Sequence, residues 1–252
     1  MNTHVSRVVF ATAQNRSVAD RWFYVAVTIL VMLVNVVGFS PSLVNTSTRT
    51  VPLPLTAIDL AHALVSVAWL LVFLVQVTLV ASGRLKVHRQ LGVFGVLLSA
   101  AFIVVTWFML VEGARRGFDL SGDLVPGGTP VEPGMFLAPA GTLIPLGAFV
   151  GAAVWYRRRS AVHKRLMMLA LLSSTGAPIA HVVGHWPAFG PYVLTGGTAI
   201  LFLPAIRDWV WERRIHPVSL WGGIFLTVWV PVCVGVVPQT AVWRNFAAWI
   251  VQ

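Results

Sequence analysis

The chain has little charge for its length. Of its 252 residues only 10% are Asp, Glu, Lys or Arg, whereas 57% are hydrophobic. A soluble domain needs far more charge on its surface, so this composition excludes an ordinary soluble protein. Several apolar runs approach or exceed the roughly 20 residues that cross a bilayer as a helix. We therefore predict an integral membrane protein of the all-α class, a polytopic transmembrane helical bundle.

Cysteine and lysine are almost missing. The single cysteine, Cys233, stands in an apolar run, which excludes a disulfide framework and a CxxC metal or redox motif. The two lysines, Lys86 and Lys164, fall in predicted turns. This placement excludes a retinal protein, because the Schiff base needs a lysine inside the last helix. The chain also lacks P-loop, GxSxG and HExxH motifs, so nucleotide hydrolysis and the commonest hydrolase sites have no support.

The apolar runs predict seven membrane spans in a single transmembrane domain over residues 1–252. We place the spans at about 22–39, 56–80, 91–112, 135–156, 165–185, 191–206 and 218–237. No small-residue cleavage site follows the first apolar run, so we expect the first helix to be retained. The C-terminal segment 239–252 has Trp243, Phe246 and Ile250 on one helical stripe and is expected to lie flat on the outer interface.

Basic residues are distributed unevenly over the predicted loops. With the N-terminus inside, only Arg49, Arg115, Arg116 and Arg244 of the 18 Lys and Arg residues fall outside. This asymmetry follows the positive-inside rule and predicts a multi-pass membrane protein with its N-terminus inside. The net charge of +10 then reflects topology and attraction to the lipid bilayer. We expect no nucleic-acid partner.

A short repeat occurs at the inner ends of two spans. VHRQLG at 87–92 and VHKRLM at 162–167 each follow a basic turn and open a span, which predicts two helical hairpins of the same orientation. The repeat places His88 and His163 at equivalent points, with Arg89 and Arg165 nearby. Haem b needs two facing imidazoles, and its propionates favour arginine. These four residues are a predicted haem b site; the alternative is that they are positive-inside anchors at the headgroup level.

A second group of polar residues falls at the outer ends of two spans. Asp59 and His62 are three residues apart on one helical face, and His181 and His185 are four apart on another. If the helices are neighbours, the four side chains suit zinc, iron or copper, with Asp59 as a ligand or as the group that orients an imidazole. We expect Pro178 to bend its helix and turn His181 inward. The alternative is a set of interfacial histidines that are hydrogen-bonded to carbonyls or water.

Other polar residues inside or beside the spans are expected to have structural roles. Gln76 is expected to form an interhelical hydrogen bond. Asp208 and Glu212, beside Arg207 and Arg213, are expected to form an exposed, ion-paired extension of the sixth span.

Motifs over residues 56–180 resemble an uncharacterised family of bacterial polytopic membrane proteins, a domain-of-unknown-function type. The shared pattern is a histidine with WxxxFxxQ, then GR, HRxLG and HKRLM, and here it comprises His62, Trp69, Phe73, Gln76, Gly83, Arg84, His88, Arg89, Leu91, Gly92 and residues 163–167. The resemblance implies a fold and a membrane location but no reaction. The group's pattern has arginine near position 181, where this chain has His181.

The spacing of His88 and His163 also resembles the ascorbate-reducible cytochrome b family. That four-helix core ligates one haem through histidines of its third and fifth helices, and a second haem joins the second and fourth. The predicted span 135–156 has no histidine, so the resemblance implies at most one haem here. Seven-helix zinc hydrolases of the adiponectin-receptor and ceramidase type also pair an early histidine with a late HxxxH, but their HxxxH lies on the seventh span.

These patterns favour a membrane protein that binds a transition metal or haem b for electron transfer or metal-dependent redox chemistry. Whether it is an enzyme stays open. The alternative is a non-catalytic accessory or assembly subunit of a larger membrane complex, whose partners are other subunits of that complex.

Overall fold

The computed structural model describes residues 2–44, 56–117 and 131–252. This part of the chain is almost entirely helical and contains no strand. Its α-helices are α1 (Asn2–Val44), α2 (Ala57–Ala81), α3 (Leu85–Arg116), α4 (Pro133–Leu137), α5 (Leu143–Trp155), α6 (Ser160–Ser173), α7 (Gly176–His185), α8 (Gly190–Leu201), α9 (Leu203–Glu212), α10 (Pro217–Pro231) and α11 (Ala241–Ile250). Short 3₁₀ or π turns at Ala138–Thr142, Pro187–Phe189, Val232–Val236 and Val237–Gln239 connect or extend them.

Six helical segments of the described chain are long and apolar enough to cross a membrane. They are Val18–Pro41, Ala57–Ala81, Leu85–Arg116, Pro133–Trp155, Ser160–His185 and Pro217–Gln239. A seventh segment passes the same test only if α8 and α9 are taken as one span. The predicted all-α, polytopic membrane fold is therefore confirmed. Following the predicted orientation, the ends next to the arginine-rich turns are called inner below.

The predicted sixth span, 191–206, is not a straight helix. The segments Pro187–Leu201 and Leu203–Glu212 meet at an angle of 52°. Pro204 stands at the start of α9, where it cannot supply the N–H that would continue the helical ladder. The chain therefore bends at Phe202, and α9 leaves the direction of α8.

Two hairpins dominate the packing, as the short repeat predicts. Helix α2 packs along α3, and α5 packs along α6. Arg84 and Arg159 are the N-caps of the second helix in each hairpin. The carbonyl of Arg84 accepts from the His88 N–H at 3.1 Å, and that of Arg159 accepts from the His163 N–H at 2.9 Å. The two histidines thus occupy the same position in the first turn of equivalent helices.

Helix α6 forms the centre of the bundle. Its residues Met168 to Leu172 are all at most 1% exposed, and it packs against α1, α5 and α10. The run LMMLALL is apolar on every side, which is the pattern of a helix surrounded by other helices rather than by lipid on one face. Arg165, near the inner end of α6, is consequently only 1% exposed.

The C-terminal helix α11 covers the outer end of the bundle. Trp243 donates from Nε1 to the Gly134 carbonyl at 2.7 Å, and the ring of Phe246 lies 6.4 Å from that of Trp107. The predicted apolar stripe of α11 therefore packs on α3 and α4, where Ala247 is fully buried.

Candidate functional site

The rings of His88 and His163 meet at the inner end of the bundle. Their centroids lie 6.3 Å apart and their planes cross at 75°. His88 lies in the first turn of α3 and His163 in the first turn of α6. Each follows, by about one turn, the basic residues that connect the two helices of its hairpin. The hairpin repeat thus brings two imidazoles from different hairpins together.

Carbonyl groups determine which ring nitrogen can bind a ligand. His163 Nδ1 lies 2.8 Å from the Ala153 carbonyl oxygen. A carbonyl only accepts, so Nδ1 carries the proton and Nε2 keeps its lone pair when the ring is neutral. His88 Nδ1 is buried and has no hydrogen-bond partner among the described residues, while its ring also interacts with the Gln76 backbone. Carbonyl groups that orient the far side of an imidazole are typical of metal-ligating histidines.

Gln76 on α2 lies beside this pair. Its amide nitrogen lies 3.9 Å from the Cβ position that a side chain at Gly92 or Gly95 of α3 would have. The predicted interhelical hydrogen bond of Gln76 is wrong, because Oε1 and Nε2 are both buried without a partner in the described chain. Burial of an amide without partners costs about 1–3 kcal/mol, so Gln76 destabilises the chain in this arrangement.

The two arginines of the predicted haem site differ in their surroundings. Arg89 is exposed, and its Nε donates to the Leu85 carbonyl at 3.3 Å. Arg165 is only 1% exposed and is fully engaged by protein acceptors: Nε and Nη2 donate to Asp208, Nη2 also donates to Glu212, and Nη1 donates to the Ala161 carbonyl. The structure thus leaves Arg89, and not Arg165, as the arginine that can meet a propionate.

An ion-pair network joins the inner ends of α1, α6, α9 and α10. Asp208 is completely buried and accepts from Arg165, from Arg207 Nη1 at 2.7 Å and from Ser219 Oγ at 2.6 Å. Arg207 also pairs with Asp20 of α1. The prediction of an exposed extension at Asp208 is therefore wrong. The α8–α9 bend turns this acid toward α6, where the buried guanidinium of Arg165 needs a counter-charge.

At the outer end, Asp59 is engaged by neighbouring groups. Its Oδ2 lies 3.0 Å from Arg116 Nη1, and it accepts from the backbone N–H and the hydroxyl of Thr56 at 2.9 and 2.8 Å. The hydrogen bond from the Thr56 N–H, together with one from the Asp59 N–H to the Thr56 hydroxyl oxygen at 3.4 Å, forms a capping box at the start of α2. Asp59 is 3% exposed, so it acts as a buried counter-charge and helix cap.

The outer histidines lie against different helices. His62 Nδ1 is 3.2 Å from the Thr106 hydroxyl of α3, and its ring stacks on Phe102 with centroids 6.0 Å apart. The ring of His181 lies 4.7 Å from Phe39 of α1 and 6.3 Å from that of His185.

The structure does not bring the four predicted metal ligands together. In the part of the chain that it describes, no three His, Cys, Asp or Glu side chains form a group that could hold a metal ion. The reason is the position of α1, which packs against both α2 and α7. Sequence analysis missed the partners Arg116 and Thr106, since no spacing rule links a residue late in α3 to one early in α2.

The separation of the inner pair can be compared with that of two imidazoles bound to one metal ion. Metal–imidazole bonds are about 2.0–2.1 Å long, so two imidazoles on opposite sides of one metal have ring centres roughly 6–6.5 Å apart. Tetrahedral neighbours would bring the centres to about 5 Å. The observed separation of 6.3 Å falls in the first of these ranges, so His88 and His163 could together hold one iron, as a haem would require.

Comparison of the chain with protein-family models, with curated proteins and with solved structures finds no significant match. The family resemblances that the motifs indicate therefore stay predictions.

Proposed function

We propose that this multi-pass membrane protein of the bacterial inner membrane binds haem b between His88 and His163 and transfers electrons. The observation that carries the proposal is the 6.3 Å separation of two imidazoles that come from equivalent positions of two hairpins. A further argument is the hydrogen bond from His163 Nδ1 to the Ala153 carbonyl, which leaves Nε2 as the nitrogen that can bind iron.

Each residue near the pair has a distinct role in this proposal. His88 and His163 would hold the haem iron, and the Ala153 carbonyl keeps His163 in one orientation and one tautomer. The exposed guanidinium of Arg89 at the inner surface would pair with a propionate of the haem. When bound, haem supplies reversible one-electron chemistry. The position of the pair in the first helical turn favours electron entry from the inner side of the membrane.

The absorption spectrum of the detergent-purified protein tests the proposal. We expect a Soret band. We also expect one haem per chain when the haem is extracted and quantified as its pyridine complex. His88→Ala and His163→Ala should each lose the bands, while His62→Ala at the outer end should keep them. A protein that folds in haem-supplied cells yet contains no haem would overturn the proposal, as would a spectrum that neither inner substitution changes.

A non-catalytic accessory subunit is the second candidate. This candidate needs no bound metal, and the described residues contain no group of three or more His, Cys, Asp or Glu that could hold a metal ion. This candidate predicts that the protein purifies with other membrane subunits, and that His88→Ala leaves both the association and the cellular function intact. The haem proposal predicts loss of function for the same variant.

A further inference from the structure

The acids of the inner face all form ion pairs within one partly buried network. In the predicted topology the inner segments contain three acids, Asp20, Asp208 and Glu212. Asp20 pairs with Lys164 and Arg207, while Asp208 and Glu212 pair with Arg165 and Arg207. No acid of the inner face is left to compensate the remaining inner cations.

Six of those remaining cations lie in the two hairpin turns. They are here called the turn cations and comprise Arg84, Lys86, Arg89, Arg157, Arg158 and Arg159. All six are exposed, and none forms an ion pair within the described chain.

The fold brings the two turns close to each other. The Arg84 and Arg159 carbonyls accept hydrogen bonds from the backbones of His88 and His163, and the rings of those histidines are 6.3 Å apart. A concentration of six like charges raises the free energy of the folded chain unless anions from outside the protein bind there.

Aromatic residues indicate the depth of this surface in the bilayer. Trp155 is 80% exposed at the end of α5, and Tyr156 follows it in the turn. The Arg159 guanidinium lies 5.7 Å from the centre of the Tyr156 ring. Exposed Trp and Tyr rings are typical of the headgroup layer, so the turn cations lie at the level of lipid phosphates.

We propose that the turn cations form a binding site for the headgroups of anionic phospholipids of the inner leaflet. Arginine binds phosphate oxygens through two parallel hydrogen bonds, and each surface cation contributes roughly a fivefold gain in affinity for an anionic membrane. A lipid is favoured over a soluble anion because the aromatic residues hold the turns within the headgroup layer. Of the turn cations only Arg89 would also contact haem, so the arginines of the second turn, Arg157 and Arg158, test the lipid site whether or not the histidine pair binds haem.

Native mass spectrometry of the full chain in detergent tests the proposal, with phosphatidylglycerol and phosphatidylcholine in equal amounts. We expect the wild-type protein to retain phosphatidylglycerol preferentially. The double variant R157Q/R158Q should reduce that preference on the order of 25-fold. R213Q/R214Q removes the same charge from an exposed inner segment outside the two turns and should keep the preference.

Three results would overturn the proposal. One is equal retention of both lipids by the wild-type protein. Another is an equal loss in both double variants, which would indicate general charge attraction rather than a site. The third is displacement of phosphatidylglycerol by millimolar inorganic phosphate, which would make a free anion the ligand. A circular dichroism spectrum identical to that of the wild type shows that each variant has folded.

Discussion

Arg165 and Asp208 form a fully buried pair in which one guanidinium donates three hydrogen bonds to one carboxylate. Arg165 Nε lies 3.1 and 2.9 Å from the two carboxylate oxygens, and Nη2 lies 2.6 Å from Oδ1. The side chains are 1% and 0% exposed. A pair with this geometry connects the central helix α6 to α9, and removing either partner leaves an uncompensated charge in the interior.

We expect Asp208→Asn to destabilise the protein by about 3 kcal/mol, because Arg165 and Arg207 lose a buried counter-charge. Thermal unfolding in detergent, followed by circular dichroism, measures the change. Glu212→Gln is the matched control: its side chain is 41% exposed, so its loss should cost less than about 1 kcal/mol. Equal effects of the two substitutions would contradict this account of the network.

Gly38→Ala should weaken the contact between α1 and α7. A Cβ at Gly38 would lie 2.5 Å from the Pro178 carbonyl oxygen, and that backbone cannot move without shifting α7. We expect a loss of about 1–3 kcal/mol in thermal unfolding. Gly151→Ala is the control, because a Cβ there meets nothing within 4 Å. An unchanged melting temperature for Gly38→Ala would show that the two helices do not approach this closely.

Gln76→Met should stabilise the ligand-free protein. The substitution keeps the shape of the side chain and removes two buried polar atoms that have no partner in the described chain. Their burial costs roughly 1–3 kcal/mol, so the melting temperature should rise. If haem or another polar ligand uses the amide, the same variant should bind it less tightly. A fall in stability of the ligand-free form would mean that the amide already has partners.

The stability of the inner loop should depend on His216. Its Nδ1 accepts from the Val218 N–H at 3.2 Å and caps α10, which requires a neutral ring. Burial, followed by the positive charge of Arg165, lowers the pKa of His216 below its ordinary value of about 6.5. The folded state therefore resists protonation, so the stabilisation is complete above about pH 6.5 and is lost as the pH falls below it.

Melting temperatures of the wild type and of His216→Asn between pH 8 and pH 5 check this dependence. Asparagine caps a helix without titrating, so the variant should lose less stability on acidification. Parallel curves for the two proteins would assign the acid sensitivity to other groups.

Much of the fold follows from local sequence. Apolar runs of sufficient length predict the spans, since backbone groups in a bilayer must be hydrogen-bonded within a helix. The likeness of VHRQLG to VHKRLM was enough to place His88 and His163 at equivalent positions. The bend between α8 and α9 was missed even though Pro204 marks it, because a proline in the first turn of a helix is also compatible with a straight span.

The sequence by itself determined an all-helical membrane protein, its spans and the equivalence of two histidines, because hydrophobic length and helical periodicity are local properties. Only the tertiary structure decided which charges are compensated: Asp59 pairs with Arg116, and Asp208 pairs with Arg165. It also kept His62 apart from His181 and His185 by packing α1 against both of their helices. The two residues of each ion pair are far apart in the sequence, so their pairing depends on how the helices pack. Helix packing results from the whole set of contacts rather than from any one segment.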